Sequence, residues 1–262
     1  MSSVLTRIDG AVATVTLNRP DVHNAFDEEM IADLCDTFIA LAKPDGVRVV
    51  VLKAEGKSFS AGGDLGWMQR AAGYTQKQNV ADARNLGAML HALHSLPKPT
   101  IALVQGAAYG GGVGLVAACD VAIGVERAKF CLSEVKLGLI PSVISPYVLA
   151  AMGSRAARRY FLTAEVFGAA EAHRIGLLHE VVADDAALAE KANTLITTLL
   201  QNGPEAVAAA KNLIFAMENR PIGDEVVEET AHIIAARRAS AEGKEGIKAF
   251  LEKRKPTWAG EV

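Results

Sequence analysis

Two glycine-rich stretches decide the fold class: residues 58–65, SFSAGGDL, and residues 106–114, GAAYGGGVG. Each follows an apolar run typical of a buried strand, 47–52 before the first and 100–104 before the second, and each leads into a helix. Glycine lets a ligand or another chain segment approach the backbone closely. Amides at a helix start have no partner within the helix and lie at the positive end of its dipole. If the two turns face each other, we expect them to form a site for a developing oxyanion.

Neither stretch matches a motif that binds phosphate. The dinucleotide fingerprint G-x-G-x-x-G, counted from Gly110, places Leu115 where the third glycine is required. Residues 56–58 (GKS) resemble the end of a P-loop, but Val51 stands where its first glycine should be. The nucleophile elbow G-x-S-x-G does not occur. Taken singly, each stretch is as well explained by tight turns and helix–sheet packing alone.

The first half of the chain alternates strand and helix patterns. Residues 11–17 (AVATVTL) and 120–125 (DVAIGV) have the apolar, β-branched character of strands. Asp27 is placed as the N-cap of a helix that Pro44 ends. A longer helix follows, and its apolar face is formed by Leu86, Met89, Leu90 and Leu93.

From residue 142 onward the pattern is mostly helical. We predict helices at 145–163, 168–175, 184–200, 204–219, 224–240 and 242–253, and one short strand at 179–182. A half that alternates strand and helix, followed by a helical part, predicts an α/β fold.

The composition limits the classes of function. The 262 residues are 50% apolar, but no apolar run is long enough to cross a membrane, and the first residues lack the layout of a secretory signal. A net charge of −3 and only 5% aromatic residues argue against nucleic-acid binding, including an RNA-binding role. The cysteines Cys35, Cys119 and Cys131 are odd in number and lack metal-type spacing. We therefore expect a cytoplasmic enzyme without metal, membrane or nucleic-acid partner.

Five segments in order resemble the enoyl-CoA hydratase/isomerase (crotonase) family, and the resemblance covers nearly the whole chain. They are Leu17-Asn18-Arg19-Pro20 with Asn24-Ala25-Phe26; Phe59 to Leu65; Lys98-Pro99-Thr100-Ile101-Ala102 with Gly106 to Asp120; Phe130-Cys131-Leu132-Ser133-Glu134 with Gly138-Leu139-Ile140-Pro141; and Ala249-Phe250-Leu251-Glu252-Lys253-Arg254. The resemblance implies a crotonase-type spiral of ββα repeats over residues 1–200. It implies a helical trimerisation region over 201–262, with assembly as a trimer or a dimer of trimers.

The resemblance also implies roles for individual residues. The amides of Gly63 and Gly111 correspond to the oxyanion hole that binds the thioester oxygen. Residues implied to bind coenzyme A are Ala25, Ala61, Asp64, Leu65, Phe250 and Lys253; a solvated helix end explains Lys253 equally well. Residues implied to line the acyl pocket are Trp67, Tyr109, Gly114, Ser142 and Ser145. Coenzyme A arrives as part of the acyl-CoA substrate, so no separate cofactor is expected.

Acid–base chemistry is expected from one carboxylate, Glu134. The family's hydratases usually carry two glutamates, and Gly114 stands at the position of the first. Glu134 follows an apolar stretch and has Leu137 and Leu139 near it in sequence; apolar surroundings would raise the pKa of its carboxyl group and suit it to proton transfer near neutrality. Loss of a glutamate at Gly114 would open space and remove negative charge.

Two reactions fit one carboxylate. Hydration of a branched glutaconyl-CoA, methylglutaconyl-CoA or isohexenylglutaconyl-CoA, is favoured because residues 109–115 and 139–147 are similar to bacterial hydratases of leucine and acyclic terpene breakdown. Double-bond isomerisation with Glu134 as the single base is the alternative; thioester hydrolysis or decarboxylation ranks third. Arg70 or Arg84 could meet a substrate carboxylate, although solvated helix arginines explain both better. Ser142 and Ser145 either contact substrate or cap a helix.

Overall fold

The structure is a computed structural model that describes residues 2–43 and 46–260. The described strands are β1 (Val4–Asp9), β2 (Val12–Leu17), β3 (Val49–Ala54), β4 (Ser58–Ser60), β5 (Thr100–Val104), β6 (Ala107–Tyr109), β7 (Val121–Val125), β8 (Lys129–Cys131), β9 (Phe167–Gly168) and β10 (Glu180–Val182). The described helices are α1 (Glu28–Leu41), α2 (Leu65–Ala71), α3 (Gln76–His94), α4 (Gly111–Ala118), α5 (Ser145–Thr163), α6 (Ala169–Arg174), α7 (Asp185–Gln201), α8 (Pro204–Met217), α9 (Asp224–Ala239) and α10 (Ala241–Leu251).

The strands form two sheets. The larger sheet has the order β1-β2-β3-β5-β7-β10; β1 and β2 pair antiparallel, and every later neighbour is parallel. The smaller sheet has the order β4-β6-β8-β9, parallel except for its last pair. Both faces of β3 and β5 are buried, as expected for parallel strands covered by helices.

From β3 to β8, consecutive strands alternate between the two sheets, and this produces the repeat. The strand pairs β3–β4, β5–β6 and β7–β8 each place their first member in the larger sheet and their second in the smaller, and helices follow each pair. The crotonase-type spiral of ββα repeats expected from the sequence is therefore confirmed.

Helix termini follow the sequence closely. The side chain of Asp27 accepts a hydrogen bond from the amide of Met30 and caps α1, as predicted. Thr75 and Gln78 form a capping box at the start of α3. Pro44, predicted to end α1, lies outside the described residues. The six helices predicted after residue 142 are all present, most within one or two residues of the expected limits.

The strand predictions were less complete. The strand expected at 47–52 begins and ends two residues later, at Val49–Ala54. Strand β1 was missed because five of its six residues are exposed and only Val4 is buried, so it lacks an apolar run. The glycine-rich stretches themselves begin as the short strands β4 and β6, whereas the sequence suggested that each was turn from its start.

Helix α8 contacts the core through a buried lysine, and α10 in turn contacts the start of α8. The ammonium group of Lys211 on α8 lies 2.8 Å from a carboxylate oxygen of Asp120, which also accepts hydrogen bonds from the amide and hydroxyl groups of Thr100. Glu242 of α10 accepts hydrogen bonds from the amides of Glu205 and Ala206 and so caps α8. The division of the chain at residues 200 and 201 stays a prediction.

Candidate active site

The parallel pairing of β4 with β6 brings the two glycine-rich stretches together. Ser58 pairs with Ala107 and Ser60 with Ala108, so the segments that follow these strands leave the sheet side by side. We call residues 61–64 the first glycine turn and residues 110–112 the second. Gly62 has φ +87°, and a Cβ atom there would lie 2.9 Å from the carbonyl oxygen of Tyr109. Only glycine allows this backbone contact between the turns.

The amides of Gly63 and Gly111 are available for a ligand. Neither forms a hydrogen bond within residues 2–43 and 46–260. Gly111 is the first residue of α4, and Gly63 immediately precedes Asp64, the N-cap of α2. Both amides therefore lie at helix starts, where the backbone dipoles favour negative charge.

The predicted acid lies against the second glycine turn. Tyr109 of β6 pairs with Cys131 of β8, and the amide of Gly110 donates to the carbonyl oxygen of Cys131. Glu134 begins a short 3₁₀ helix three residues later, and its Oε1 lies 3.2 Å from where a Cβ atom of Gly110 would be.

The carboxyl group of Glu134 is poorly solvated. Its Oε2 atom is buried and has no hydrogen-bond partner within the described chain. Burial raises the pKa of Glu134 above its ordinary value, and a contact with its own backbone amide offsets the shift only in part. Leu137 and Leu139, expected to contribute to this apolar environment, are instead 62% and 57% exposed. The second glycine turn lies against this carboxyl group on one side.

The space beside Gly114 is filled, whereas the sequence led us to expect it to be open. A Cβ atom there would lie 2.3 Å from Cγ2 of Ile144, a residue only 3% exposed. Absence of a larger side chain at Gly114 therefore does not open space in this chain, because Ile144 fills it. The expected loss of negative charge holds, since an aliphatic group occupies the volume.

Trp67 borders the first glycine turn. Two atoms of its indole ring lie 3.5 Å from where a Cβ atom of Gly63 would be. Its indole N–H donates to a carboxylate oxygen of Asp82 on α3, 3.1 Å away. A residue of α3 thus fixes the ring beside one of the two free amides. Tyr109 is half-buried, and burial raises the pKa of its phenol group.

Neither Ser142, which precedes α5, nor Ser145, its first residue, caps this helix. Its N-cap is Ile144, without a capping side chain, and the hydroxyl of Ser145 donates to the carbonyl oxygen of Ser142 at 2.7 Å. The capping alternative is therefore wrong. Ser142 is exposed. The amide of Ser145 donates to the carbonyl oxygen of Ser142, so residues 142–145 form a turn that contains Ile144.

The residues expected to bind coenzyme A fall into two places. The first place is the first glycine turn with the residues beside it, which include Ala25, Ala61, Asp64 and Leu65. Ala25 is buried, whereas Leu65 is 82% exposed. Burial raises the pKa of Asp64, but hydrogen bonds from the amides of Trp67 and Gly66 and the nearby Arg19 outweigh it, so the pKa lies below its usual value. Asp64 therefore stays charged.

Phe250 and Lys253 form the second place. Phe250 is 82% exposed on α10, a helix that packs against α8 and α9, and Lys253 follows that helix. Among the described residues, no hydrogen bond or ion pair joins Phe250 or Lys253 to either glycine turn.

The two arginines considered for a substrate carboxylate differ. The guanidinium of Arg70 forms two hydrogen bonds with Glu28, at 2.6 and 3.1 Å, and is engaged. Arg84 lies exposed on α3 and forms no hydrogen bond or ion pair with any described residue.

Sequence reasoning missed two residues that shape the site, Phe26 and Ile144. Phe26 is 1% exposed, and its ring edge lies 2.6 Å from where a Cβ atom of Gly111 would be. The signal for Phe26 was its place beside Asn24-Ala25 in one of the similar segments. Nothing in the sequence around Ile144 indicated which residue it would contact.

The described part of the chain contains no group of three or more His, Cys, Asp or Glu side chains that could hold a metal ion. His94 packs between Tyr147 and Phe215, with ring centroids 5.1 and 4.6 Å away, and burial lowers its pKa. Among the described helices, none is long and apolar enough to cross a membrane.

The spiral of ββα repeats, with paired glycine turns and a desolvated glutamate beside them, defines an acyl-CoA enzyme of the crotonase class. The sequence matches the family model for enoyl-CoA hydratase/isomerase over residues 7–261. The chain belongs to this family.

Individual relatives cover the whole chain. An enoyl-CoA hydratase from Shewanella pealeana has a solved structure that is 47% identical, covers 98% of this chain and 96% of its own, and has a TM-score of 0.95. Pseudomonas aeruginosa AtuE is 36% identical with a TM-score of 0.94, covering 98% of this chain and 99% of its own. The 1,2-epoxyphenylacetyl-CoA isomerase of Escherichia coli is 32% identical over 262 residues, 99% of each chain.

Proposed function

We propose that this protein hydrates an α,β-unsaturated acyl-CoA, with Glu134 as the single acid–base group. The observation that carries the proposal is the position of Glu134. Its Oε2 is buried and has no hydrogen-bond partner among the described residues, and its Oε1 lies against Gly110, the residue before the free amide of Gly111. A desolvated carboxylate beside unpaired amide donors is suited to moving a proton at an activated thioester.

The mechanism begins at the thioester carbonyl oxygen, which accepts hydrogen bonds from the amides of Gly63 and Gly111. These bonds withdraw electron density and make Cβ electrophilic. Glu134 takes a proton from water while the water oxygen bonds to Cβ, and the C=C electron pair moves to form the enolate. The protonated Glu134 then gives its proton to Cα as the C=O bond re-forms. One water molecule is added, and Glu134 returns to its starting state.

For the acyl group we propose a branched glutaconyl-CoA, methylglutaconyl-CoA or isohexenylglutaconyl-CoA. The aliphatic Ile144 at Gly114, where a second carboxylate would otherwise stand, supports this substrate because it places no negative charge near an acidic acyl group. Arg84 is the arginine free to meet the substrate carboxylate, since Arg70 is held by Glu28.

Isomerisation that shifts a double bond is the second candidate, because one carboxylate suffices to move a proton between two carbons. Purified protein assayed with methylglutaconyl-CoA, isohexenylglutaconyl-CoA, crotonyl-CoA and a β,γ-unsaturated straight-chain acyl-CoA separates the two. Hydration consumes the absorbance of the conjugated thioester, whereas isomerisation creates it. Activity confined to the β,γ-unsaturated ester would refute the hydratase proposal.

We further propose a homo-oligomer, a trimer or a dimer of trimers, in the cytoplasm. The exposure of the large apolar side chain of Phe250, 82% in the single chain, supports an assembly in which a neighbouring subunit covers it or presents it to coenzyme A. Free thiols at Cys35, Cys119 and Cys131 fit a reducing compartment. No cofactor beyond the coenzyme A of the substrate is required by this mechanism.

A further inference from the structure

We propose that Phe26 is a positioning residue that aligns both amides of the oxyanion hole. The inference rests on the proposed function, since it concerns how the two donors come to face one thioester oxygen. Phe26 lies on a third segment, between the N-cap residue Asp27 and the buried Ala25, and is itself 1% exposed. It contacts one glycine turn with its backbone and the other with its ring.

The backbone of Phe26 fixes the peptide group that carries the Gly63 amide. Its N–H donates to the carbonyl oxygen of Gly62 at 2.7 Å, and its own carbonyl accepts from the amide of Asp64 at 2.7 Å. The Gly62–Gly63 peptide is planar and trans, so its C=O and N–H point in opposite directions. Because the carbonyl of Gly62 points at the amide of Phe26, the N–H of Gly63 points away from that amide.

The ring of Phe26 fixes the distance to the second amide. Its Cε2 and Cδ2 atoms lie 2.6 and 3.0 Å from where a Cβ atom of Gly111 would be, so the ring edge rests on the Cα atom of Gly111. The carbonyl oxygen of Gly110 accepts hydrogen bonds from the amides of Val113 and Gly114, which orients the peptide that carries the Gly111 amide.

The two turns already meet where Gly62 approaches the carbonyl oxygen of Tyr109, and Phe26 adds a second, rigid connection from the Gly62–Gly63 peptide to Gly111. Each peptide plane is oriented by its own hydrogen bonds, and among the described residues no backbone hydrogen bond joins the Gly63 and Gly111 peptides directly. Catalysis by preorganised donors depends on their aim, and misplacement by about 1 Å can cost on the order of 10²-fold in rate. A smaller or more flexible side chain at position 26 would leave both turns folded while their relative position varies.

The test compares Phe26→Leu with Phe38→Leu. Phe38 is fully buried on α1, so its substitution removes the same atoms from an equally buried site. We expect similar losses of thermal stability in the two variants. We expect kcat to fall roughly 10- to 100-fold in Phe26→Leu alone, with KM changed less than about twofold, because misaligned donors affect the transition state more than the ground state.

A spectroscopic readout separates positioning from packing. Hydrogen bonds to the thioester oxygen polarise a conjugated acyl group, so bound 2,4-hexadienoyl-CoA should absorb at longer wavelength than free ligand. The measurement is made in a Glu134→Gln background, which keeps the probe from being consumed. We expect the red shift to persist in Phe38→Leu and to shrink in Phe26→Leu.

An unchanged red shift and equal kcat in the two Leu variants would overturn the role of Phe26. Absence of a red shift in the Glu134→Gln parent, despite saturation with the probe, would instead refute the oxyanion hole and the proposed function with it. If Phe26→Leu does not fold, Phe26→Met is measured in the same way, since its unbranched chain retains most of the volume.

Discussion

The contact between Gly114 and Ile144 makes a quantitative prediction about Gly114→Ala. The added Cβ atom would lie 2.3 Å from Cγ2 of Ile144, whereas carbon atoms are comfortable at roughly 3.5–4.0 Å. The two atoms would overlap by more than about 1 Å, and overpacking of this kind costs about 1–3 kcal/mol. Alanine recovers up to about 1 kcal/mol of helix propensity. We expect a net destabilisation of about 1–2 kcal/mol.

Gly87→Ala is the matched control. Gly87 also lies inside a helix, but a Cβ atom there would meet its nearest neighbour, Cγ1 of Val143, at an ordinary 3.7 Å. Alanine should therefore stabilise this helix by about 0.5–1 kcal/mol. The assay is urea denaturation at fixed protein concentration, because assembly would make apparent stability depend on concentration.

A double-mutant cycle with Ile144→Ala completes the test. Ile144→Ala alone removes packed atoms and should cost about 2–5 kcal/mol. In the double variant the alanine at position 114 no longer meets Cγ2, so the combined loss should fall short of the sum by about 1–3 kcal/mol. Additive losses, or a Gly114→Ala variant as stable as Gly87→Ala, would refute the claim that Ile144 fills this space.

Three further predictions concern Glu134 and Arg84. Glu134→Gln should lower kcat by about 10²–10⁴-fold. In the wild type, a profile of kcat/KM against pH should fall as pH drops through the raised pKa of Glu134, because the protonated carboxyl group cannot accept a proton from water. Because burial raises the folded-state pKa of Glu134, the stabilising contribution of this group is present at acid pH and is lost as pH rises through the folded-state pKa. In calorimetry, Glu134→Gln should therefore melt at a higher temperature than wild type at neutral pH, and this gain in melting temperature should shrink at acid pH. A gain that does not depend on pH would contradict the desolvation argument. Arg84→Gln should raise KM for methylglutaconyl-CoA and leave crotonyl-CoA unaffected, with Arg70→Gln as the control; an equal effect on both esters would remove Arg84 from acyl recognition.

The sequence predicted elements with strong local signals and missed those fixed by contacts distant in sequence. The cap at Asp27 and the helices after residue 142 depend on neighbouring residues, so they could be predicted. Strand β1 pairs with β2 but exposes most of its side chains, so it carries no apolar pattern. Short strands such as β4 gain their register from β6, which lies almost 50 residues away along the chain.

The same distinction holds within the site. Gly63, Gly111 and Glu134 were selected because glycines and a carboxylate in similar segments indicate chemistry, and the structure places Glu134 against the second glycine turn. Ile144 was missed because its contact with Gly114 joins the start of α5 to α4 across 30 positions. No periodicity or motif reports that an aliphatic side chain fills the space above a distant glycine.

In the smaller sheet, each of the first three strands is followed by one group of the proposed site. The segment after β4 carries the amide of Gly63, the segment after β6 carries that of Gly111, and the segment after β8 carries Glu134. Each of these segments can change in evolution without the others. The segment after β8 could replace Glu134 with another side chain while the proposed amide donors after β4 and β6 still bind a thioester. One scaffold of ββα repeats can therefore give rise to several acyl-CoA reactions through changes in the segment after β8 alone.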